Sequence, residues 1–433
     1  MNIHFLEIEV VDKLFTILSD KIDSRIDIMR EETFHDLFNI EIRADIVLSY
    51  RGQILAAFEI KKMPEVWAMR FSRETIYQTA FTMYKIPLFI VCDDKKYYIC
   101  NHKYEEKSLD EIVALVEMKI PSLNEIPTDE EVKSFISKKM KDITFANKNR
   151  IENFFNVNEN LYKFDKDSGV IKFTDEQTED AFFSTLISTQ IPDVLCRYTN
   201  RHNLFLMLNE KKQNMCSVVC MNDRGECDYT DKWLKYEDAL NEENNSFILS
   251  LIPGNKEDDL TMWRLYGDDA RGVCLVYKIK GELSNGKFNS KGFYLAPVSY
   301  GTSVDSHPEL ELVQSMAGLS IRGWNFKFER WSIWKHFFKS YRFSDEGEIR
   351  LLYIGNIDKW KWIENPDSGI VSKMALHDIM DEKSFPLQLI RVRVGLKSPD
   401  PLAISKQFQF MANQVFNDGE KVYVNRSRIR EYR

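Results

Sequence analysis

Two acidic residues and a lysine are the side chains of this sequence best suited to chemistry. Asp45 begins one apolar run, Glu59 lies near the end of the next, and Lys61 follows two positions later. Two carboxylates can hold a divalent cation that keeps open positions for phosphate and water, because hard cations take oxygen ligands. Such a cation polarises a phosphoryl oxygen and acidifies its water, while a nearby lysine stabilises developing charge. These residues therefore predict a metal site for phosphodiester hydrolysis.

A β-hairpin is the element that would bring the three residues together. The runs 45–50 and 54–60 are rich in β-forming residues, and a glycine-containing turn separates them. Alternate residues of a strand share a face, so Glu59 and Lys61 project to the same side. Asp45 begins the first strand and would lie beside the end of the second. Because Glu-x-Lys triplets occur in strands by chance, a solvated strand end is the alternative explanation for the acid and the lysine.

This arrangement resembles the PD-(D/E)XK nuclease superfamily, whose signature is an aspartate followed, after a hairpin, by (D/E)-x-K. Here the motif consists of Asp45 and Glu59-Ile60-Lys61. The resemblance implies that both acids hold Mg²⁺ or Mn²⁺ and that the lysine orients the attacking water. It also implies DNA as the substrate.

The elements downstream of the hairpin follow the order of the same nuclease core. Residues 65–84 have helical periodicity, and two strands are predicted at 86–92 and 97–100. The branches of the superfamily that include type I restriction subunits carry a helical glutamine near the metal, and Gln78 falls at that position. Those branches often have a tyrosine one turn later, where this sequence has Thr82. The resemblance implies that the glutamine supports the metal site or the phosphate.

Helices are predicted on the faces of this sheet. Residues 3–38 are predicted to be helical in two amphipathic stretches. An acid on the first helix often completes such metal sites, and spacing does not choose between Glu31 and Glu32. Ser108 and Glu111 form a capping box that begins another helix. The predicted fold class is α/β (α+β), with a restriction-endonuclease-like mixed sheet flanked by helices.

A lysine-rich helix end follows this sheet. Lys138, Lys139 and Lys141 close a capped helix that begins near residue 128, and Lys148 follows. These side chains could contact a DNA backbone. A solvated helix that ends in favourable cations is the alternative interpretation.

Composition limits the class of protein. With 433 residues, 44% hydrophobic and 29% charged, the chain is expected to be globular and to have two domains. A net charge of −8 argues against a protein that coats nucleic acid, but not against an enzyme whose metal engages phosphate. Seven cysteines suggest reduced thiols, and neither a membrane span nor a signal peptide is expected. We therefore expect a cytoplasmic protein without a membrane partner.

Three segments are predicted along the chain. Residues 1–150 form the nuclease-like domain, 151–185 form a polar linker region, and 186–433 form a second α+β domain.

The second half resembles the DUF2971 family over roughly residues 190–430. The resemblance is carried by an ordered series of short motifs: Arg197-Tyr198, Asn222-Asp223, a strand ending near Ser250, Met262-Trp263 with Tyr266, Gly272-Val273-Cys274, and Glu346-x-Glu348-x-Arg350. Arg224-Gly225 stands where the family usually has proline and an aromatic residue. The family name assigns no chemistry.

Part of this series also has the order of the arginine-serine-glutamate ADP-ribosyltransferases. That similarity implies that Arg197 and Ser250 belong to an NAD site, with the arginine on the dinucleotide phosphates. Glu348 would stabilise the oxocarbenium-like ribose while Glu346 assists the acceptor. A guanidinium suits phosphate, and a carboxylate suits developing positive charge. The alternative interpretation is a structural ion-pair network formed by Arg197, Glu346, Glu348 and Arg350. An ADP-ribosyltransferase-like domain fold belongs to the first interpretation.

Three functional hypotheses follow from these patterns. The first is a Mg²⁺-dependent DNA endonuclease that acts as a prokaryotic anti-phage defence effector, with a second domain that responds to a trigger or partner protein. The second is an ADP-ribosyltransferase or NAD-consuming toxin. The third makes the second half a non-catalytic module that binds a ligand or partner. Because many such nucleases cut both strands as dimers, a homo-oligomer is a further expectation.

Overall fold

The fold is mixed α+β, with mixed sheets flanked by helices, as the sequence predicts. A computed structural model of the chain describes residues 3–35, 41–50, 53–74, 77–78, 86–101, 103–119, 125–166, 168–187, 190–220, 229–234, 245–289, 292–355, 360–364, 371–381, 384–416 and 421–429. Within these ranges, none of the helices has the length and apolar character needed to cross a membrane.

The helices are α1 Ile3–Lys21, α2 Pro64–Arg73, α3 Leu109–Glu117, α4 Asp129–Met140, α5 Lys148–Val157, α6 Glu176–Ile187, α7 Arg201–Glu210, α8 Leu260–Tyr266, α9 Pro308–Ala317, α10 Trp331–Trp334 and α11 Pro401–Val415. The strands are β1 Asp27–His35, β2 Glu41–Tyr50, β3 Gln53–Ile60, β4 Phe89–Cys92, β5 Tyr97–Cys100, β6 Tyr104–Lys107, β7 Tyr162–Asp165, β8 Val170–Phe173, β9 Val194–Thr199, β10 Lys212–Ser217, β11 Ser246–Pro253, β12 Val273–Ile279, β13 Leu283–Ser284, β14 Lys287–Phe288, β15 Phe293–Pro297, β16 Ser299–Tyr300, β17 Ser320–Ile321, β18 Trp324–Phe326, β19 Phe338–Lys339, β20 Ile349–Ile354, β21 Trp360–Glu364, β22 Val371–Asp378, β23 Leu387–Val394 and β24 Tyr423–Arg426.

The chain divides into two compact units. Unit 1 comprises Met1–Val132, Phe164–Lys172 and Gly318–Lys327, and unit 2 comprises Lys133–Lys163, Phe173–Ala317 and Phe328–Arg433. The segment predicted as a linker, 151–185, contains regular structure, because it includes β7, β8 and most of α5 and α6. The predicted domain boundaries themselves stay a prediction.

A mixed sheet in the order β1-β2-β3-β4-β5-β6 forms the centre of unit 1. Its neighbouring strands are antiparallel except β3 and β4, which are parallel. Strands β2 and β3 are the predicted pair, with Ile46 opposite Phe58 and Tyr50 opposite Gln53. The turn at 51–52 lies outside the described residues. A parallel pair needs a crossover connection, and the one between β3 and β4 contains α2.

Two apolar clusters cover the faces of this sheet. Phe58 and Ile60 pack with apolar residues of α1 and α3 on one face. Ala57 packs with Phe71 of α2 on the other face. Because successive strand residues point to opposite faces, Glu59 lies on the α2 face of the sheet.

Residues 27–35 form a strand, so the predicted helix over 3–38 is only partly right. Helix α1 ends at Lys21, and β1 pairs antiparallel with β2. A short apolar run fits helix and strand periodicity equally well, and the open edge of β2 supplies the backbone hydrogen bonds that favour a strand. Glu31 and Glu32 therefore lie on a strand, while 36–40 lie outside the described residues.

Unit 2 is built on a branched sheet. Its main order is β13-β14-β15-β20-β11-β9-β12-β23-β24, from which β10, β22 and β21 branch at β11. Strand β9 pairs with β11 at Ile252 and Pro253, whereas β10 pairs with it at Phe247 and Ile248. Because β20 occupies the other edge of β11, β9 and β10 share one edge and diverge from it.

Candidate active site

Asp45 and Glu59 are neighbours at one end of the β2–β3 pair. Ile46 lies opposite Phe58, so the residues just beyond this pair come side by side across the two strands. The backbone N–H of Ile60 donates a hydrogen bond to Asp45 Oδ2 at 2.7 Å. This bond fixes the Asp45 carboxylate beside the end of β3, where the sequence predicts it.

Lys61 forms a buried ion pair with Glu59. The distance from Lys61 Nζ to Glu59 Oε1 is 2.6 Å, and Glu59 is only 8% exposed. Burial and the nearby charge of Asp45 raise the pKa of Glu59 to about 7, although Lys61 and Arg43 oppose the rise. Burial alone would lower the pKa of Lys61, but the hydrogen bond to Glu59 and the two carboxylate charges raise it. The lysine is therefore a cation at neutral pH, while the glutamate is near its midpoint.

The second carboxylate oxygen of Glu59 has no hydrogen-bond partner in the part of the chain that the structure describes. Oε2 is buried and accepts no hydrogen bond. A buried polar atom without a partner costs free energy, and a cation bound there would satisfy it. Two adjacent carboxylates suit the oxygen ligation of Mg²⁺ or Mn²⁺ and leave positions for water and phosphate. Within the described ranges, no three His, Cys, Asp or Glu side chains converge on one metal position.

Trp67 and Arg70 of α2 border the site. The centre of the Trp67 ring lies 6.0 Å from Lys61 Nζ and 5.2 Å from the Arg70 guanidinium. Arg70 also forms an ion pair with Glu74 at 2.7 Å. Sequence reasoning missed both residues of α2. The available signal was that this helix begins at Pro64, immediately after the (D/E)-x-K strand, so its first turns must lie near the site.

Gln78 lies beyond the end of α2, and its side chain is hydrogen-bonded to that helix. Its Nε2 donates a hydrogen bond to the backbone oxygen of Phe71 at 2.7 Å. The preceding residue, Tyr77, packs edge-on against the Phe71 ring with centroids 4.5 Å apart. This packing belongs to the α2 face of the sheet, the face that also carries Glu59. Thr82 and the rest of the predicted helix, 79–84, lie outside the described residues. The role of Gln78 at the metal stays a prediction.

Glu7 is the acid of the first helix that acts on the site. Its charge is one of those that raise the pKa of Lys61. Helical placement of Glu31 and Glu32 is wrong, because both lie on β1. Glu31 adopts a left-handed φ of 55° at the position of β1 across from Asp45, and its side chain is exposed. Sequence reasoning missed Glu7 because the helix was extended too far and its acids were sought at the wrong end.

A second charged cluster lies in unit 2. The Glu348 carboxylate accepts hydrogen bonds from Arg350 Nε at 2.9 Å and Lys339 Nζ at 3.1 Å. Burial would raise the pKa of Glu348, but the charges of Arg350 and Lys339, with hydrogen bonds from Arg350 and Ser250, lower it to about 2. This carboxylate is therefore ionised, and it is held by ion pairs with Arg350 and Lys339.

Glu346 extends the cluster towards solvent. Its Oε2 lies 2.9 Å from Lys339 Nζ, and Tyr266 donates a hydrogen bond to its other oxygen. Glu346, Glu348 and Arg350 therefore belong to one ion-pair network that is joined by Lys339. Three of the four residues of the predicted network are in it, and Arg197 is not.

Arg197 lies apart from this cluster. Its neighbours in sequence, Cys196 and Tyr198, pack on one face of the sheet, so the arginine projects to the other. Ser250 lies between Leu249 and Leu251, which pack on that other face, so Ser250 projects away from it. Arg197 and Ser250 are therefore on opposite faces.

Of the lysines at this helix end, Lys148 has a structural role. Lys148 Nζ donates hydrogen bonds to the carbonyl oxygens of Met140 and Ile143, at 2.5 and 2.9 Å, and so caps the end of α4. Lys138, Lys139 and Lys141 are exposed. Their contact with DNA stays a prediction.

One protein-family model matches a part of unit 2. The family described as "Protein of unknown function (DUF2971)" matches residues 262–351, which confirms that predicted resemblance over this range. The range includes most of α8 and the cluster around Glu348. No curated protein matches the chain.

One similar solved structure is described as "cryoEM structure DrdV-DNA complex". The identity is 11%, the TM-score is 0.20, and the alignment covers 42% of this chain and 19% of that chain. The chain therefore spans about a fifth of that protein's length, and a TM-score of this size does not establish a shared fold. The PD-(D/E)XK resemblance stays a prediction from residues 45–61.

Proposed function

We propose that this protein is a metal-dependent nuclease that hydrolyses phosphodiester bonds in DNA. The observation that carries the proposal is the buried Glu59–Lys61 pair beside Asp45, with one Glu59 oxygen left without a partner. An ion pair that served only the fold would be expected to satisfy both oxygens. Two acids and a cationic lysine at one strand end instead form the set that phosphodiester hydrolysis needs.

Each residue of this set has a distinct role. Asp45 and Glu59 would hold Mg²⁺ or Mn²⁺, which when bound polarises the phosphate and acidifies its water. Lys61 stays protonated, since its pKa is raised, and its ammonium orients the nucleophile and stabilises negative charge on the phosphate. Glu59 loses its proton when the cation binds, because its pKa of about 7 lies close to neutral pH. Gln78 supports the phosphate or the metal site.

Plasmid cleavage tests this proposal. The full-length protein is incubated with supercoiled DNA and Mg²⁺ or Mn²⁺, with EDTA as the reference. We expect cleavage that Asp45→Asn and Lys61→Met abolish, whereas Lys62→Met, which changes the exposed neighbouring lysine, retains it. Absence of cleavage with every divalent cation, or full activity in Asp45→Asn, would contradict the proposal. Single-stranded RNA is tested in parallel, and the substrate that is cleaved shows whether the enzyme acts on DNA or on RNA.

The proposal extends to the biological setting. A nuclease centre joined to a DUF2971 region suits a cytoplasmic anti-phage defence effector, in which unit 2 responds to a trigger or partner protein. A homo-oligomer would allow both DNA strands to be cut. Infection of cells that carry Lys61→Met should remove any protection that the unaltered protein gives.

An NAD-consuming activity has weaker support. Arg197 and Ser250 lie on opposite faces of the sheet, and Glu348 is already engaged by Arg350 and Lys339. Incubation with labelled NAD tests the activity, and label transfer that Glu348→Gln abolishes would support it as the function of unit 2.

A further inference from the structure

Helix α2 of unit 1 has apolar side chains on its exposed face as well as on its buried face. The buried face packs on the sheet through Ala68 and Phe71. Met63, at the N-cap, and Val66, in the first turn, point to solvent instead, and they are 62% and 57% exposed. A group of exposed apolar side chains on one face indicates a surface that contacts a ligand or partner.

Trp67 completes this exposed face. Positions 63, 66, 67 and 70 are three and four residues apart, so their side chains share one side of the helix. The Trp67 ring packs against Phe71, with 5.8 Å between the ring centroids, and stays partly exposed. We call Met63, Val66, Trp67 and Arg70 the α2 ridge.

The α2 ridge adjoins the candidate active site through Lys61. The Lys61 ammonium lies 2.6 Å from Glu59 Oε1 and 6.0 Å from the centre of the Trp67 ring. In the proposed function, this ammonium contacts the phosphate at which DNA is cut. The base of the nucleotide that carries this phosphate is therefore within reach of the indole.

The charge around the α2 ridge favours a polyanion as its ligand. Residues 61–74 include four basic and two acidic side chains, a net charge of +2 in a chain whose net charge is −8. The Arg70 guanidinium lies 5.2 Å from the centre of the Trp67 ring, and its side chain is 49% exposed. Proteins bind single-stranded nucleic acid by this combination, because cations follow the backbone while aromatic rings stack on bases.

We propose that the α2 ridge binds single-stranded DNA and stacks the base next to the scissile phosphate on Trp67, an inference that rests on the proposed nuclease function. A base inside a duplex has both faces covered by its neighbours, so only an unpaired base can stack on the indole. Met63 and Val66 contact the sugar and base of the same strand, and Arg70 turns from the ring to a phosphate oxygen. The preferred substrate is therefore unpaired DNA.

Oligonucleotide binding in EDTA tests the α2 ridge without cleavage. Full-length protein is titrated into a single-stranded DNA that contains the fluorescent base 2-aminopurine, and into the duplex of the same sequence. We expect tighter binding of the single strand, quenching of 2-aminopurine by stacking, and at least about fivefold weaker binding in Trp67→Leu. Trp67→Phe should retain most of the affinity because it keeps an aromatic ring. Val66→Asp should also weaken binding, and it alters an exposed position that the fold does not need. Trp360→Leu is the matched control, because Trp360 is a 49% exposed tryptophan of unit 2, and its affinity should be unchanged.

Cleavage with Mg²⁺ or Mn²⁺ separates failure of this proposal from failure of the proposed function. The single strand should be cut with a kcat/KM at least about fivefold above that of the linear duplex, and Trp67→Leu should reduce this preference while Trp67→Phe retains it. Equal binding of single strand and duplex, or unchanged affinity and preference in both Trp67→Leu and Val66→Asp, would overturn the role of the α2 ridge even if plasmid is cut. Absence of cleavage of every substrate, with the expected binding results, would overturn the nuclease function and support the α2 ridge as a surface that binds single-stranded DNA.

Discussion

Cation binding should depend on pH through Glu59. With a pKa of about 7, this carboxylate passes from mostly protonated to mostly ionised across neutral pH. Its ionised fraction is about 3% at pH 5.5 and about 90% at pH 8. The proton competes with the cation for the same oxygen atoms, so the affinity for Mn²⁺ should rise roughly 30-fold between these values and then level off.

Calorimetry in buffers of different ionisation enthalpy measures this linkage directly. Cation binding should release about one proton at pH 5.5 and about 0.1 at pH 8. Glu59→Gln should lose both the pH dependence and most of the affinity. Glu179→Gln is the control, because burial also raises the pKa of Glu179 to about 7 but that residue lies in unit 2. An affinity that does not change with pH, or Glu59→Gln that binds Mn²⁺ normally, would refute the role given to Glu59.

Three further outcomes are expected. Without cation, protonated Glu59 should stabilise the fold below pH 4.5, and this stability should be lost as pH rises to about 7. Urea unfolding should show a loss of at most ~3 kcal/mol in the free energy of unfolding. If this free energy depends on pH in the same way in Glu59→Gln, the expectation is contradicted. Lys61→Met should lower kcat for DNA cleavage by roughly 10²–10³-fold, while calorimetry still detects Mn²⁺ binding. Loss of Mn²⁺ binding in this variant would show that Lys61 has a structural role instead. Arg330→Met breaks a buried ion pair with Asp180 at 2.9 Å and should lower the free energy of unfolding by about 3–5 kcal/mol. Loss of the exposed ion pair between Lys397 and Asp269 should lower it by less than about 1 kcal/mol. Equal losses would be inconsistent with this difference in burial.

The sequence was sufficient to predict the centre of unit 1. Strands β2 and β3 have strong β-forming composition around a short turn, and such a pair determines which residues lie side by side. Asp45 therefore comes beside Glu59 as predicted, and Ser108 caps α3 with Glu111 as predicted. These features depend on neighbours that are close in sequence.

Features that depend on distant contacts were not predictable. Strand β1 forms because β2 offers it an edge, which apolar spacing alone does not reveal. Glu7 and Trp67 reach the Lys61 environment through the packing of α1 and α2 on the sheet, and their positions in sequence carry no specific signal. The separation of Arg197 from Ser250 depends on strand register, since a shift of one residue moves a side chain to the other face.

In the proposed function, Asp45 and Glu59 hold a divalent cation. Anomalous scattering from crystals soaked in Mn²⁺ tests it most directly. We predict a peak within coordination distance of carboxylate oxygens of both residues, including the Glu59 oxygen that has no hydrogen-bond partner. A protein that is saturated with Mn²⁺ and gives its peak elsewhere, with both carboxylates free of metal, would contradict the claim.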